Sequence, residues 1–189
     1  MKPAPFAYHA PNSLEQALGL MSQHAGEAKI LAGGQSLVPA MNFRILQPSV
    51  LIDLNRLPEL SYISEEDKVM RVGAMTRERH LEFDTSLAKR TPLLTEALPF
   101  IAHPQIRNRG TLGGSLVNAD PAAELPVLAL ALAARLKAKS VSGERWLDAQ
   151  AEPGRERLRG IVEPDAQRLA AVGKAIDLVR RVAKPHVAD

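Results

Sequence analysis

Two glycine pairs constrain this chain more than any other feature: Ala32-Gly33-Gly34-Gln35-Ser36 and Thr111-Leu112-Gly113-Gly114-Ser115. Each follows or abuts an apolar run and ends in a hydroxyl residue, and Arg107-Asn108-Arg109-Gly110 leads into the second. Lacking a Cβ, such backbone can turn successive N–H groups toward an anion at close range. One Gly-Gly pair after a strand is a tight turn. Two of matched chemistry, far apart in sequence, suit a chain that closes both on one doubly charged group, and a dinucleotide pyrophosphate is such a group. Neither segment is a GxGxxG fingerprint or a Walker A sequence, so spacing excludes Rossmann and P-loop readings.

The flanking pattern alternates helices and strands without a strict repeat, which predicts an α+β fold. Asn12-Ser13 followed by Gln16 is a capping box for a helix carrying Leu14, Ala17, Leu18 and Met21 on one face. Ala28 to Ala32 and Ser49 to Leu54 read as buried strands, the first running into the first glycine loop. Leu60 to Ile63 and Val69 to Val72 resemble a hairpin split by Glu65-Glu66-Asp67. Helices are expected over Thr76 to Leu81, Thr91 to Leu98 and Ala122 to Ala133, the last accepting Pro126 only in its first turn. Arg135 to Val141 and Arg145 to Leu147 form a second hairpin about Ser142-Gly143. In the tail, Leu169, Val172, Ile176, Val179 and Ala183 recur at helical spacing before Pro185, so an amphipathic helix is expected there. Boundaries follow: a small lobe over 1–55, a second over 56–148, and a divergent tail over 149–189 that opens on the charged linker Glu152 to Arg157.

Composition narrows the function. The hydrophobic share of 46% supports a core, and with only 4% aromatic residues that core must be aliphatic. A net charge of +3, with no basic run interleaved with aromatics, argues against a nucleic-acid partner. The absence of cysteine excludes disulfides, Cys-ligated zinc and a Cys-held iron–sulfur cluster within these 189 residues. The apolar run Leu125 to Ala134 is too short to span a bilayer, and no signal-peptide pattern precedes Phe6, so a cytoplasmic location is expected. His24, His80 and His186 lack metal-ligand spacing, and no Ser-His-Asp set is visible.

As a set, Ala32 to Leu37 and Arg107 to Ser115 resemble the two FAD-binding motifs of the medium subunit of molybdenum hydroxylases. That family includes aerobic-type carbon monoxide dehydrogenase and the flavin domain of xanthine dehydrogenase. The likeness runs from about Phe6 through Trp146 and takes in Ser13 to Leu18, Gly73-Ala74-Met75-Thr76 and Asn118 to Pro126. The Arg107 to Glu124 segment fits poorly with another two-lobed flavoprotein class, the enolpyruvyl-sugar reductases. The resemblance implies a two-lobed domain with FAD between the lobes. It also implies electron transfer from iron–sulfur clusters to an external acceptor, with a molybdenum-cofactor large subunit and a 2Fe–2S small subunit as partners. No catalytic acid or base is expected of the chain, because the flavin carries the redox chemistry.

Carried over position by position, the resemblance implies FAD contacts at Leu31, Ala32, Gly33, Gly34, Gln35, Ser36 and Leu37. The second set is Ile101, Thr111, Leu112, Gly113, Gly114, Ser115 and Glu124. Glu124 would accept ribose or ribityl hydroxyls, or else is an acid stabilised at a helix N-terminus. Ile101 lines the cofactor or belongs to the core, and Asp120 reads as an N-cap. Arg107 and Arg109 meet either phosphate or acids of a neighbouring subunit, and His103 reads as structural. The resemblance stops after Trp146 while the family runs longer, which raises an alternative: a truncated or frameshifted remnant, or an assembly module, without flavin turnover.

Overall fold

The structure, a computed structural model, describes residues 1–149 and the backbone strand Val172–Leu178. It is an α+β fold built on two sheets. The first is parallel, with β1 (Ala7–His9) and β2 (Ala28–Leu31) flanking β3 (Val50–Asp53). α1 (Leu14–Gln23) connects β1 to β2, and α2 (Leu37–Asn42) lies between β2 and β3. Val50, Leu51 and Ile52 of the central strand are all buried, the uninterrupted apolar run expected of a parallel strand covered on both faces. α1 starts as its capping box predicts: Ser13 Oγ accepts from the Gln16 N–H at 3.2 Å. Gln16 Oε1 reaches back to the Asn12 N–H at 3.0 Å, one residue earlier than the standard box. Leu14, Ala17 and Leu18 pack with Val50, Ile52, Leu54, Leu57, Leu60 and Met75 in the first core.

The second sheet is antiparallel, in the order β4 (Ile63–Glu66), β5 (Val69–Val72), β8 (Val172–Leu178), β6 (Arg135–Ser140), β7 (Gly143–Asp148). Asp67 and Lys68 both have positive φ, the twist a two-residue hairpin needs. The second hairpin matches the sequence reading; in the first, β5 matches but β4 starts only at Ile63, with Leu60 ending a 3-10 turn and Glu65 and Glu66, expected in the turn, paired to Met70 and Val69. Short helices complete the layer: α3 (Glu78–Phe83), α4 (Thr85–Arg90), α5 (Pro92–Ala97), α6 (Pro104–Arg107), α7 (Leu112–Asn118) and α8 (Glu124–Ala131). Their buried residues Leu81, Leu87, Leu94, Leu112, Leu116, Leu125 and Leu128 join Met70, Val72 and Leu136 in the second core.

Two expectations are corrected. Within the tail helix expected from Leu169 to Ala183, Val172–Leu178 is a strand, paired antiparallel to β5 through Val72↔Ile176 and to β6 through Leu136↔Ile176. The spacing of four between Val172 and Ile176 suits a helix or a strand alike, and pairing with both β5 and β6 selects the strand. Leu169, Val179, Ala183, Pro185, His186 and the Glu152 to Arg157 linker lie outside the described residues. The second glycine segment, read as a loop, is the first turn of α7. Thr111 caps it, its Oγ1 accepting from the Gly114 N–H at 3.1 Å. Tertiary contact overrides the poor helix propensity of the glycines, because a Cβ on Gly113 would stand 2.6 Å from the Ala74 Cβ.

Candidate functional site

The fold brings the two glycine segments into contact. A Cβ on Gly33 would lie 2.4 Å from the Arg109 carbonyl oxygen and 2.9 Å from the Gly110 Cα. A Cβ on Gly114 would be 3.4 Å from the Ala32 Cβ. At position 33 only glycine allows this approach, while Gly114 meets Ala32 at ordinary contact distance. The segments arrive from different cores: the first leaves the end of β2, and the second is tied to the Gly73–Thr76 crossing. There Leu112 N–H bonds Thr76 O at 3.1 Å and Gly113 N–H bonds Ala74 O at 2.8 Å. Gly73 is itself required, since a Cβ there would meet Leu60 O at 2.3 Å.

The two segments differ in what their backbones offer. Among the described residues, the N–H groups of Gly33, Gly34, Gln35 and Ser36 donate no hydrogen bond. Gly34 has φ +75° and Gln35 Nε2 bonds Gly33 O at 3.0 Å, which shapes the turn. Ser36 is exposed at the N-cap of α2 with its hydroxyl making no cap bond, and Leu37 is the first helical residue. In the second segment the donors of Leu112, Gly113, Gly114 and Ser115 are all engaged, the last with Thr111 O at 3.1 Å. The expectation of equivalent donor nests is therefore corrected: available N–H groups are concentrated on the first segment. Leu31 ends β2, its carbonyl accepting from Leu54 N–H. Ile101 and Leu112 are buried in the second core, and Glu124 is exposed at the first turn of α8.

A polar network that sequence reasoning missed joins the segments. Asn55 Nδ2 donates to Ala32 O at 3.0 Å, and Asn55 Oδ1 accepts from Arg77, whose other Nη donates to Arg109 O. Asp53 Oδ1 accepts from the Asn55 N–H at 2.8 Å, and Tyr8 Oη donates to Asp53 Oδ2 at 2.5 Å. Burial would raise the Asp53 pKa, but the Tyr8 and Asn55 hydrogen bonds and the Arg77 charge hold it below the ordinary carboxylate range. Burial and the charge of Arg109 also lower the Arg77 pKa, with Asp53 opposing them. The Asp53-Leu54-Asn55 run at a strand end was the available signal.

Behind the second segment sits Glu78, 5% exposed, its N–H bonded to Gly110 O at 3.0 Å. A Cβ on Gly110 would stand 2.6 Å from the Glu78 Oε1, and Oε2 has no hydrogen-bond partner among the described residues. Burial pushes the Glu78 pKa up to about 7, with Arg107 pulling down and Glu124 adding to the rise. Arg107 is buried within its own chain, away from any solvent anion or neighbouring subunit. It binds Glu82 through Nε and Nη2 at 2.9 and 3.2 Å and the carbonyls of Ile101 and Ala102 through Nη1. Asp120 caps a turn rather than α8, its Oδ1 accepting from Ala122 N–H at 2.8 Å. Among the described residues no group of three or more His, Asp or Glu could hold a metal, and no helix is long and apolar enough to cross a membrane.

Residues 4–151 match the family model described as the FAD binding domain in molybdopterin dehydrogenase. The chain is 52% identical over 145 residues to the 6-hydroxypseudooxynicotine dehydrogenase complex subunit alpha of Paenarthrobacter nicotinovorans, covering 77% of this chain and 49% of that one. It is 44% identical over 149 residues to the carbon monoxide dehydrogenase medium chain of Hydrogenophaga pseudoflava, covering 79% and 52% respectively. A solved structure of carbon monoxide dehydrogenase from that organism, lacking the Mo-pyranopterin moiety, superposes with a TM-score of 0.84 at 38% identity. That superposition covers 97% of this chain and 62% of the other. The chain spans about half the length of the curated relatives it matches. With more than three quarters of its residues inside the family model and its fold shared with a solved relative, the chain belongs to the FAD-binding domain family of molybdopterin dehydrogenases, the medium subunits of molybdenum hydroxylases.

Proposed function

We propose that this chain binds FAD at the junction of its two glycine segments and serves as the flavin-carrying part of a molybdenum hydroxylase. The observation that carries the reading is the contact of Gly33 with Arg109-Gly110, beside four N–H groups that are unengaged among the described residues. Such donors, with no competing side chain, suit a pyrophosphate, and Arg109 adds positive charge beside them. The residues therefore fit the phosphate end of the cofactor. Gly33, Gly34, Gln35 and Ser36 would supply main-chain donors, and Ser36 a hydroxyl. Thr111, Gly113 and Gly114 would form the opposing wall, with Leu112 and Gly113 fixing its position on Thr76 and Ala74. Leu31, Leu37, Ile101 and Leu112 would exclude water, and Glu124 would accept from sugar hydroxyls. The bound flavin would supply the redox chemistry.

In the complete assembly, electrons would arrive from 2Fe–2S clusters on a small subunit, after oxidation of substrate at a molybdenum-cofactor large subunit, and leave to an external acceptor. The chain's own task is to hold, orient and shield. It is tested by purifying the protein with FAD present and recording its visible absorption after desalting. A retained flavin spectrum, released as FAD on denaturation, is the expected result. A folded, colourless protein that shows no FAD quenching on titration would overturn the reading.

A further inference from the structure

We propose that Asn55 and Arg77 are positioning residues for the anion-binding junction, acting by clamping the two glycine segments together through their carbonyls. The inference rests on the proposed FAD reading and adds to it two residues that lie in neither glycine segment. Asn55 holds Ala32 O, the carbonyl of the residue before the glycine pair. Arg77 holds Arg109 O, the same oxygen that Gly33 faces across the junction. The two side chains then bond each other, Arg77 donating to Asn55 Oδ1. The result is a closed bridge of Ala32, Asn55, Arg77 and Arg109 spanning 77 positions of sequence (109 − 32).

The bridge does two things for an incoming anion. It fixes the width of the junction, because each carbonyl is tied to a donor that is itself tied to the other. It also neutralises two carbonyl oxygens that would otherwise repel a phosphate, beside the N–H groups of Gly33–Ser36 that are unengaged among the described residues. Asp53 anchors the bridge from the sheet: one carboxylate oxygen takes both the N–H and Nδ2 of Asn55, and the other takes the Tyr8 hydroxyl. The geometry needs a planar fork at position 77, since one side chain must serve two acceptors in different directions.

The fork separates clamping from simple charge. In the full 189-residue chain, FAD and ADP dissociation constants would be measured by fluorescence and calorimetric titration for wild type, R77K, R77M, N55A and N55A/R77M. Clamping predicts that R77M and N55A each weaken both ligands by tenfold or more, and that R77K, which keeps the charge, stays within about threefold of R77M. It also predicts that the double variant is little worse than the poorer single, since either change opens the same bridge. The Tm of the ligand-free variants should fall by only a few degrees, because Asn55 is exposed and Arg77 half-buried. R77K binding like wild type, or effects of N55A and R77M that multiply in the double, would overturn clamping in favour of charge or direct contact. Variants that lose Tm but keep wild-type affinity would show a purely structural role and overturn it too. A wild-type chain that binds neither FAD nor ADP would instead defeat the underlying FAD reading.

Discussion

Replacing Gly33 by alanine tests the junction most directly. The added Cβ would lie 2.4 Å from Arg109 O, 2.9 Å from Gly110 Cα and 3.0 Å from the Arg109 carbonyl carbon. Ordinary contact begins near 3.4 Å, so the segments must part by about 1 Å, and every obstructing atom is backbone with no rotamer to yield. Gly33 does not have positive φ, so alanine brings no backbone strain of its own and the whole effect is steric. Overpacking of this kind costs about 1–3 kcal/mol, which for a chain of this size lowers Tm by roughly 2–4 °C per kcal/mol. The same displacement pulls Arg109 O from Arg77 and Ala32 O from Asn55, so FAD affinity should fall by at least about tenfold, or about 1.4 kcal/mol. Thermal melts without ligand and FAD titrations well below Tm would read the two effects separately. A Gly33→Ala protein that melts and binds as wild type does would refute the close approach of the segments.

Gly19 is the opposite case: it sits exposed within α1 with nothing within 4 Å of an added Cβ, so Gly19→Ala should stabilise the chain by about 0.5–1 kcal/mol, read as a rise in Tm. For Glu78, the folded-state pKa of about 7 exceeds the ordinary 4.5, so its protonated form stabilises the fold at low pH and that contribution is lost as pH rises from 4.5 through 7. Glu78→Gln should remove this slope and make the protein more stable at pH 8 by at most about 3 kcal/mol, with no gain near pH 4; parallel urea midpoints for both proteins across that range would count against it. Glu82→Ala leaves the buried Arg107 guanidinium without its carboxylate and should cost about 3–5 kcal/mol by chemical denaturation, whereas a loss under about 1 kcal/mol would mark the pair as no better than a surface ion pair.

Features governed by near neighbours were legible in the sequence. Ser13 and Gln16 announce α1 because the cap and its partner are three residues apart, and the apolar run Val50 to Ile52 announces a buried strand. The glycine pairs were recognisable as special, but not why. Gly113 is needed because Ala74 lies against it, and Gly33 because Arg109 does. Thr111-Leu112-Gly113-Gly114-Ser115 could not be read as a helix from propensity, since only the seam with Ala74 and Thr76 makes it one. Glu78 stands in a charged Arg-Glu-Arg-His stretch that resembles a solvated helix face, yet the packing of Gly110 against it removes its water. Arg107 reads in the sequence as a partner for phosphate or for a neighbouring subunit's acids because its real partner, Glu82, lies 25 residues away. In each miss the deciding contact is long-range, and periodicity carries no information about it.

The placement of β8 has a consequence for how the chain is made. All three strands of the parallel sheet lie within the first 53 residues, so that unit can assemble while synthesis continues. The antiparallel sheet lacks its middle strand until Val172–Leu178 emerges, 100 positions after Val72 (172 − 72). At roughly 5–20 residues per second that interval is about 5–20 s. The edge of β5 stands bare throughout it and that of β6 from Ser140 onward, each a template for another nascent chain. Yield of soluble protein should therefore respond to translation speed and to chaperones that cover strand edges, more than to any change in the stability of the finished fold.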